Sequence, residues 1–241
     1  SKQLQQMHQQ QAAQQQAQQS GYKTVGIYSG PLGFGYNPEL LAKKKLPVPK
    51  TWADLLKPDY KGEIQVANPA SSGTAYTMIA TLVQLMGENA AFDYMKALHK
   101  NVTQYTRSGT AQAPNVAKGE VAIGVSFLFG FEPWREQKFP VRSAAPCEGT
   151  SYEIGGIALI KGAKNPVEGK KLIDFATSAA MQSKLAEHKV NFVPANPDVK
   201  TDPALAEILK GANIFPIDDE YAGANRKRIV DRWIKEVLGP Q

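Results

Sequence analysis

The chain has 241 residues, 42% of them hydrophobic, and a formal net charge of +6, enough for one large domain or two lobes with real cores. No apolar run reaches the roughly 20 residues a bilayer-spanning helix needs, so membrane insertion is not expected; Cys147 is the only cysteine and His8, His99 and His188 lie far apart, which excludes an internal disulfide and gives no metal-ligand spacing. The lysines are spread through "AKKKLPVPK", "IKGAKN" and "EGKK" without a nucleic-acid signature, so the charge reads as a solvated basic surface whose field helps collect small anions.

Residues 1–20 are a glutamine-rich tail or linker; "SKQLQQMHQQQAAQQQAQQ" holds eleven glutamines, with Leu4 and Met7 as almost its only apolar anchors. The sequence opens on Ser1 rather than Met, and a processed or engineered start is expected. From Gly21 the composition becomes globular. "KTVGIYSGPLGFGYN" reads as strand, glycine-rich turn, strand, and "PELLAKKK" as a short helix before the connector "LPVPK". "TWADLL" is a second short helix capped by Thr51, and "GEIQVANP" a buried strand. "SSGTAYTMIATLVQLM" begins a helix with Ser72 or Ser71 as cap and Ala75, Met78, Ile79, Leu82, Val83 and Met86 at helical spacing. "NAAFDYMKALHK" is a helix with Phe92, Met95 and Leu98 inward, and "VTQYTRSGTAQAPNVAKGE" a loop followed by a short helix. "VAIGVSFLF" and "EIGGIALIKG" are strands. "NPVEGKKLIDFATSAAMQSKLAEH" is a long helical region with Leu172, Ile173, Phe175, Ala176 and Leu185 in periodic positions, and the last helix carries Ile229, Val230, Trp233 and Val237 on one face. Strands alternate with helices throughout, so the fold class is α/β.

The start of the Ser72 helix is crowded with small hydroxyl residues. Free backbone N–H groups and the positive end of the helix dipole favour an anion there. On the local sequence two readings stand, an ordinary capped helix and an anion cradle made by Ser71, Ser72, Gly73 and Thr74. No nucleophile–base–orienter set, Gly-x-Ser-x-Gly elbow or phosphate loop ending in Gly-Lys is present, so no enzyme is expected. Asp218 and Asp219 sit at a helix start, where the dipole explains them.

The block from "GPLGFGYNPELLAKKKLPVPKTWADLLKPDYKGEIQVANPASSGTAYT" to "LMGE", with "AKGEVAIGVSF", "APCEGTSYEIGGIALIKGAKNPVEGKKLIDF" and "AGANRKRIVDRWIKEV", resembles the periplasmic substrate-binding proteins of ABC importers, in the subgroup of ferric-iron, phosphonate and sugar-phosphate binders. The resemblance implies a type II periplasmic-binding-protein fold, two α/β lobes joined by crossing strands with the ligand in the cleft. It places a crossing strand at 21–37, a complete second lobe at 38–152, the return crossing at 153–160, and the C-terminal, mainly helical part of the first lobe at 161–241. The resemblance implies a segment opening the first lobe where this sequence has the tail, so the chain is expected to be a fragment with a truncated lobe, to take the missing part from another polypeptide, or to pair with a copy of itself. The stripes near 167–187 and 222–238 therefore have few strands in this chain to pack on, and a homo-oligomer, a complementary chain or a strong internal rearrangement of the C-terminal half is expected to cover them.

The resemblance puts the Ser72 helix start at the cleft, which strengthens the cradle reading. Arg107 lies in a second Ser/Gly/Thr loop, where a guanidinium can grip a carboxylate or phosphate two-pronged or stay solvated; Ser108, Gly109 and Thr110 add hydroxyl and backbone donors. Ser29, in the first crossing, joins the set. At the strand end "GVSFLFGFE" the iron binders carry tyrosine ligands. Here Ser126, Phe127, Leu128, Phe129, Gly130 and Phe131 stand, and phenyl rings do not ligate a hard ferric ion. Phe129 and Gly130 also replace the polar groups that hold sugar hydroxyls in sugar-phosphate relatives. Alternation would put Phe127, Phe129 and Phe131 on one side of an extended strand, as a pocket wall or as core. Glu148 and Glu153, near the return crossing, are candidates to accept bonds from a ligand amine or hydroxyl, and Tyr152 to stack or hydrogen-bond. Cys147 reads as a small buried filler. The expected function is capture of a small anionic solute (phosphorylated, phosphonate or carboxylate) for the permease of an ABC importer in the periplasm, with no cofactor and no metal. The alternative is an interaction or assembly module that no longer binds a small ligand.

Overall fold

A computed structural model describes residues 24–188 and 190–239. The glutamine-rich segment lies outside the described residues. Eight strands occur among them: β1 (Thr24–Tyr36), β2 (Ile64–Ala67), β3 (Val102–Thr106), β4 (Ile123–Phe127), β5 (Arg142–Ala144), β6 (Thr150–Ala158), β7 (Val193–Pro194) and β8 (Ile214–Pro216). The α-helices among the described residues are α1 (Pro38–Lys44), α2 (Gly73–Met86), α3 (Glu88–His99), α4 (Gln112–Ala117), α5 (Glu132–Glu136), α6 (Pro166–Thr177), α7 (Ala179–Glu187), α8 (Pro203–Ile208) and α9 (Asp219–Trp233). The strand order is β3-β2-β4-β1-β6-β8, with β5 and β7 also pairing β1. The β2–β3, β2–β4 and β6–β8 pairs are parallel, and β1 runs antiparallel to β4. This mixed α/β arrangement is the expected fold class.

The chain divides into two compact units, one of residues 1–30 and 153–210, the other of 31–152 and 211–241. The second unit holds the main core. α2 buries nine consecutive residues from Ala75 to Val83, and each fully buried Leu, Ile or Val contributes about 1.5–3 kcal/mol relative to exposure. Trp52 sits edge-on to Phe34 at 5.0 Å and donates its indole N–H to Gly149 O at 2.9 Å. α9 closes the same core with Ile229 and Trp233, and Val237 follows in the π-helical turn Ile234–Leu238. The C-terminal stripe is therefore covered within the chain, by α2, α3 and Tyr105, although the resemblance groups 222–238 with the first lobe.

Three local readings change. The glycines of "GPLGFG" do not make a turn; β1 runs unbroken from Thr24 to Tyr36. They supply room instead. A Cβ on Gly33 would meet Leu128 Cδ2 at 2.5 Å and Ala144 O at 2.6 Å, and one on Gly35 would lie 2.1 Å from the Phe131 ring. The long helical region after Asn165 is two helices, because Ser178 is extended (ψ 148°) and its Oγ accepts from Met181 N at 3.2 Å, restarting the chain as a cap. Cys147 is exposed rather than a buried filler. The turn between β5 and β6 ties its backbone to Lys50 O at 2.9 Å and leaves the thiol outside.

In the first unit, β7 pairs antiparallel with β1 at Tyr28 and Ser29, and Gln182 of α7, 2% exposed, donates to Ile27 O at 3.1 Å. α6 buries none of its residues; Leu172 and Phe175 are 60% and 55% exposed.

Candidate functional site

The site is built where β2, β3 and β4 end at the start of α2, all within the second unit. Asn68 follows β2 and shapes the approach. Its side-chain oxygen accepts from Ala70 N at 2.9 Å, and its carbonyl accepts from Ser72 N at 2.9 Å. Ser72, extended at φ −128°, ψ 123°, caps the helix by accepting from Ala75 N. Of the two serines that qualified as cap, it is the one the backbone selects. The N–H groups of Gly73 and Thr74 are the first donors of the helix, without intrahelical partners. A Cβ on Gly73 would meet nothing within 4 Å, so this end of the helix is open.

The loop after β3 lies directly against that opening. A Cβ on Gly109 would come 2.2 Å from Thr74 Oγ1 and 2.9 Å from Ser72 Oγ, an approach only glycine permits. Ser71 donates its hydroxyl to Arg107 O at 3.0 Å, a second tie between the segments. Ser108 Oγ and Thr110 Oγ1 are 3.0 Å apart, and Thr110 N donates to Ser108 Oγ at 3.3 Å. From the end of β4, buried Ser126 donates to Gly109 O at 2.5 Å. The Arg107 side chain is exposed and makes no ion pair among the described residues. Ser71, Ser72, Gly73, Thr74, Arg107, Ser108, Gly109, Thr110 and Ser126 thus form one cluster of hydroxyls and backbone donors beside a solvated cation. Chemically it suits a compact anion, because the first N–H groups of α2 are donors without helical partners and Arg107 carries positive charge.

The other candidates are held by different contacts. β4 ends at Phe127 and the chain winds into a 3-10 turn at Leu128–Gly130, so the three phenylalanines do not share one side. Phe127 and Phe129 stack with centroids 5.6 Å apart, whereas Phe131 is fully buried in a separate cluster with Val116 and Val141. Glu148 is engaged in the fold: its carboxylate accepts from Trp52 N at 2.9 Å and Ala53 N at 3.2 Å. Tyr152, on β6 opposite Pro216, is buried; desolvation and then the negative charge of Asp219 push its hydroxyl up to about 12, so it stays a neutral donor. Ser29 and Glu153 belong to the first unit. Ser29 is 2% exposed and its hydroxyl has no partner among the described residues.

Sequence reasoning passed over Asn68, Thr106 and Gln112. The Asn-Pro pair was the available signal for Asn68. Thr106, donating to Ser108 O at 2.9 Å, and Gln112 read as ordinary polar residues, because only the meeting of β2 and β3 makes them neighbours. A separate cavity of about 320 Å³ lies between α2 and α9, lined by Ala80, Val83, Ile217 and Ala222 with Gln84 and Glu88. Its polar lining is already used. Gln84 bonds Pro216 O and Asp218 N, and Glu88 is held by Arg228 and Arg232.

The fold is that of a type II periplasmic binding protein. The family model of the bacterial extracellular solute-binding proteins matches residues 1–225, and the chain belongs to that family. It is 41% identical over 225 residues to an uncharacterized protein of Haemophilus influenzae, covering 92% of this chain and 65% of that relative's length. Among solved structures it is similar to the periplasmic binding protein AfuA from Actinobacillus pleuropneumoniae with fructose-6-phosphate bound, at 40% identity and a TM-score of 0.84, over 90% of this chain and 69% of that one. It is also similar to the periplasmic binding protein P5PA, at 36% identity and a TM-score of 0.86, over 95% and 74%.

Proposed function

We propose that this chain captures a small anionic solute, of the phosphorylated or phosphonate class, and delivers it to the permease of an ABC importer in the periplasm, without catalysis. The observation that carries the reading is the approach of Gly109 to Thr74 and Ser72. It gathers the first N–H groups of α2, the hydroxyls of Ser72, Thr74, Ser108 and Thr110, and the exposed Arg107 around one opening. The likeness to AfuA with fructose-6-phosphate bound supports a phosphate group as the part of the solute this opening receives. The net charge of +6 favours anion encounter.

The test is thermal unfolding with fructose-6-phosphate, inorganic phosphate, a phosphonate, a carboxylate and unphosphorylated fructose. Ligand at a hundred times its Kd stabilises the folded chain by about 2.7 kcal/mol, a shift of several degrees. A shift with the phosphorylated or phosphonate compounds and none with fructose is expected. No response to any of the anions overturns the reading and leaves an assembly role.

A further inference from the structure

Gln112 opens α4 and is fully buried. One terminal atom of its amide lies 2.7 Å from Gly109 O; the other lies 2.7 Å from Ala67 N and 3.0 Å from Thr106 Oγ1. Two oxygens at that separation with no proton between them repel, as do two N–H groups. The NH2 therefore faces Gly109 O, and the amide oxygen faces the Ala67 N–H and the Thr106 hydroxyl. In this orientation one side chain joins two pieces of backbone, the end of β2 and the Gly109 loop; the single Thr106 proton goes to Ser108 O or to the Gln112 oxygen, not to both. It is pinned from the sheet side as well, since a Cβ on Gly124 would fall 2.7 Å from Gln112 Cβ.

We propose that Gln112 is the positioning residue of the anion site, fixing the cradle without touching the solute. The inference rests on the functional reading above. Ala67 precedes Asn68, whose carbonyl and side chain set the approach to Ser72. Gly109 O is held by Gln112 and Ser126 together. With that carbonyl turned inward, the trans peptide turns the Thr110 N–H the opposite way, to the side of the Ser108 hydroxyl. Gly109 has no slack against Thr74, so a shift of the loop displaces the helix start or opens a gap beside it. The amide of Gln112 thus holds both halves of the cradle in one register.

Two variants test this. Gln112→Leu removes the amide. Gln112→Glu keeps the shape and restores the donor to Gly109 O only when protonated. In the absence of solute, Gln112→Leu is expected to speed hydrogen exchange of the Ala67 amide at least tenfold while Ile79, deep in α2, is unchanged. Its affinity for fructose-6-phosphate is expected to fall on the order of tenfold, the loss of one buried hydrogen bond. For Gln112→Glu, the ratio of its Kd to that of the wild type is expected to shrink as pH falls from 8 to 5. The groups facing this side chain (Ala67, Thr106, Gly109 and Gly124) do not titrate, and the second ionisation of the solute phosphate, at about 6, enters the Kd of both proteins. A packing role would leave that ratio independent of pH, and such a result overturns the proposal. Wild-type exchange at Ala67 in Gln112→Leu overturns it too, even if the wild type binds no fructose-6-phosphate, an outcome that refutes the choice of solute separately. If Gln112→Leu does not fold, the pH dependence of exchange and binding in Gln112→Glu decides alone.

Discussion

Gly109→Ala is the sharpest test of the contact that defines the site. The new methyl would lie 2.2 Å from Thr74 Oγ1, 2.5 Å from Thr74 Cβ and 2.9 Å from Ser72 Oγ. Ordinary contact requires the loop to retreat by roughly 1 Å, and such overpacking typically costs about 1–3 kcal/mol. The loop cannot retreat freely, because Gly109 O is held by Ser126 and Ser71 ties the helix approach to Arg107 O. Urea unfolding followed by tryptophan fluorescence reads the right unit, since Trp52, Trp134 and Trp233 all lie in residues 31–152 and 211–241. The midpoint should fall by an amount matching that cost, and fructose-6-phosphate should bind at least tenfold more weakly. Adding Thr74→Gly removes the two closest atoms. Although glycine in a helix costs up to about 1 kcal/mol, the double variant should recover part of the loss, with a coupling of roughly 1 kcal/mol or more. A Gly109→Ala protein with wild-type midpoint and affinity would refute the tight seating of the loop on α2.

Trp233→Ala should cost about 3–5 kcal/mol, because Trp233 is 2% exposed and meets Tyr105 edge-on at 5.0 Å; a loss below about 1 kcal/mol by denaturant titration would show that α9 is not part of the core. Arg228, with Arg232 and Tyr221, holds the Glu88 carboxyl at about 2, below its ordinary 4.5. A depressed carboxyl stabilises the fold above about 4.5 and loses that contribution as pH falls toward 2, so Glu88→Gln should flatten the acid limb of the stability–pH curve. The effect should be about 1 kcal/mol, since solvent screens the half-exposed Arg228, and an unchanged limb would contradict it. Leu172 and Phe175 leave apolar surface open on α6. Replacing both with serine should lower binding of a hydrophobic dye and any self-association seen by light scattering; undiminished dye binding would place the apolar surface elsewhere.

Sequence alone determined the alternation of strands and helices and the family, while leaving Ser71 and Ser72 both open as the cap of α2. These follow from local rules: Ser72 before an apolar run of helical period, Asp218 before α9 with its oxygen accepting from Tyr221 N, Pro38 at the first position of α1. The candidate loops around Ser72 and Gly109 were legible for the same reason, since each carries its small and hydroxyl residues in a continuous stretch. Only the tertiary structure decided what each glycine was for. Gly33 and Gly35 have turn chemistry in the sequence but serve an extended strand that Leu128 and Phe131 approach. The alternation of Phe127, Phe129 and Phe131 was a period-2 pattern, and it failed because β4 ends at Phe127 and the next three residues wind into a turn. The cover over Ile229 and Trp233 also came from residues more than a hundred positions away, on α2, α3 and β3. Gln112 is the clearest case. Its neighbours Ala67, Thr106 and Gly109 are brought together by parallel pairing of β2 and β3, and register between strands distant in sequence is set by the whole core rather than by any local pattern.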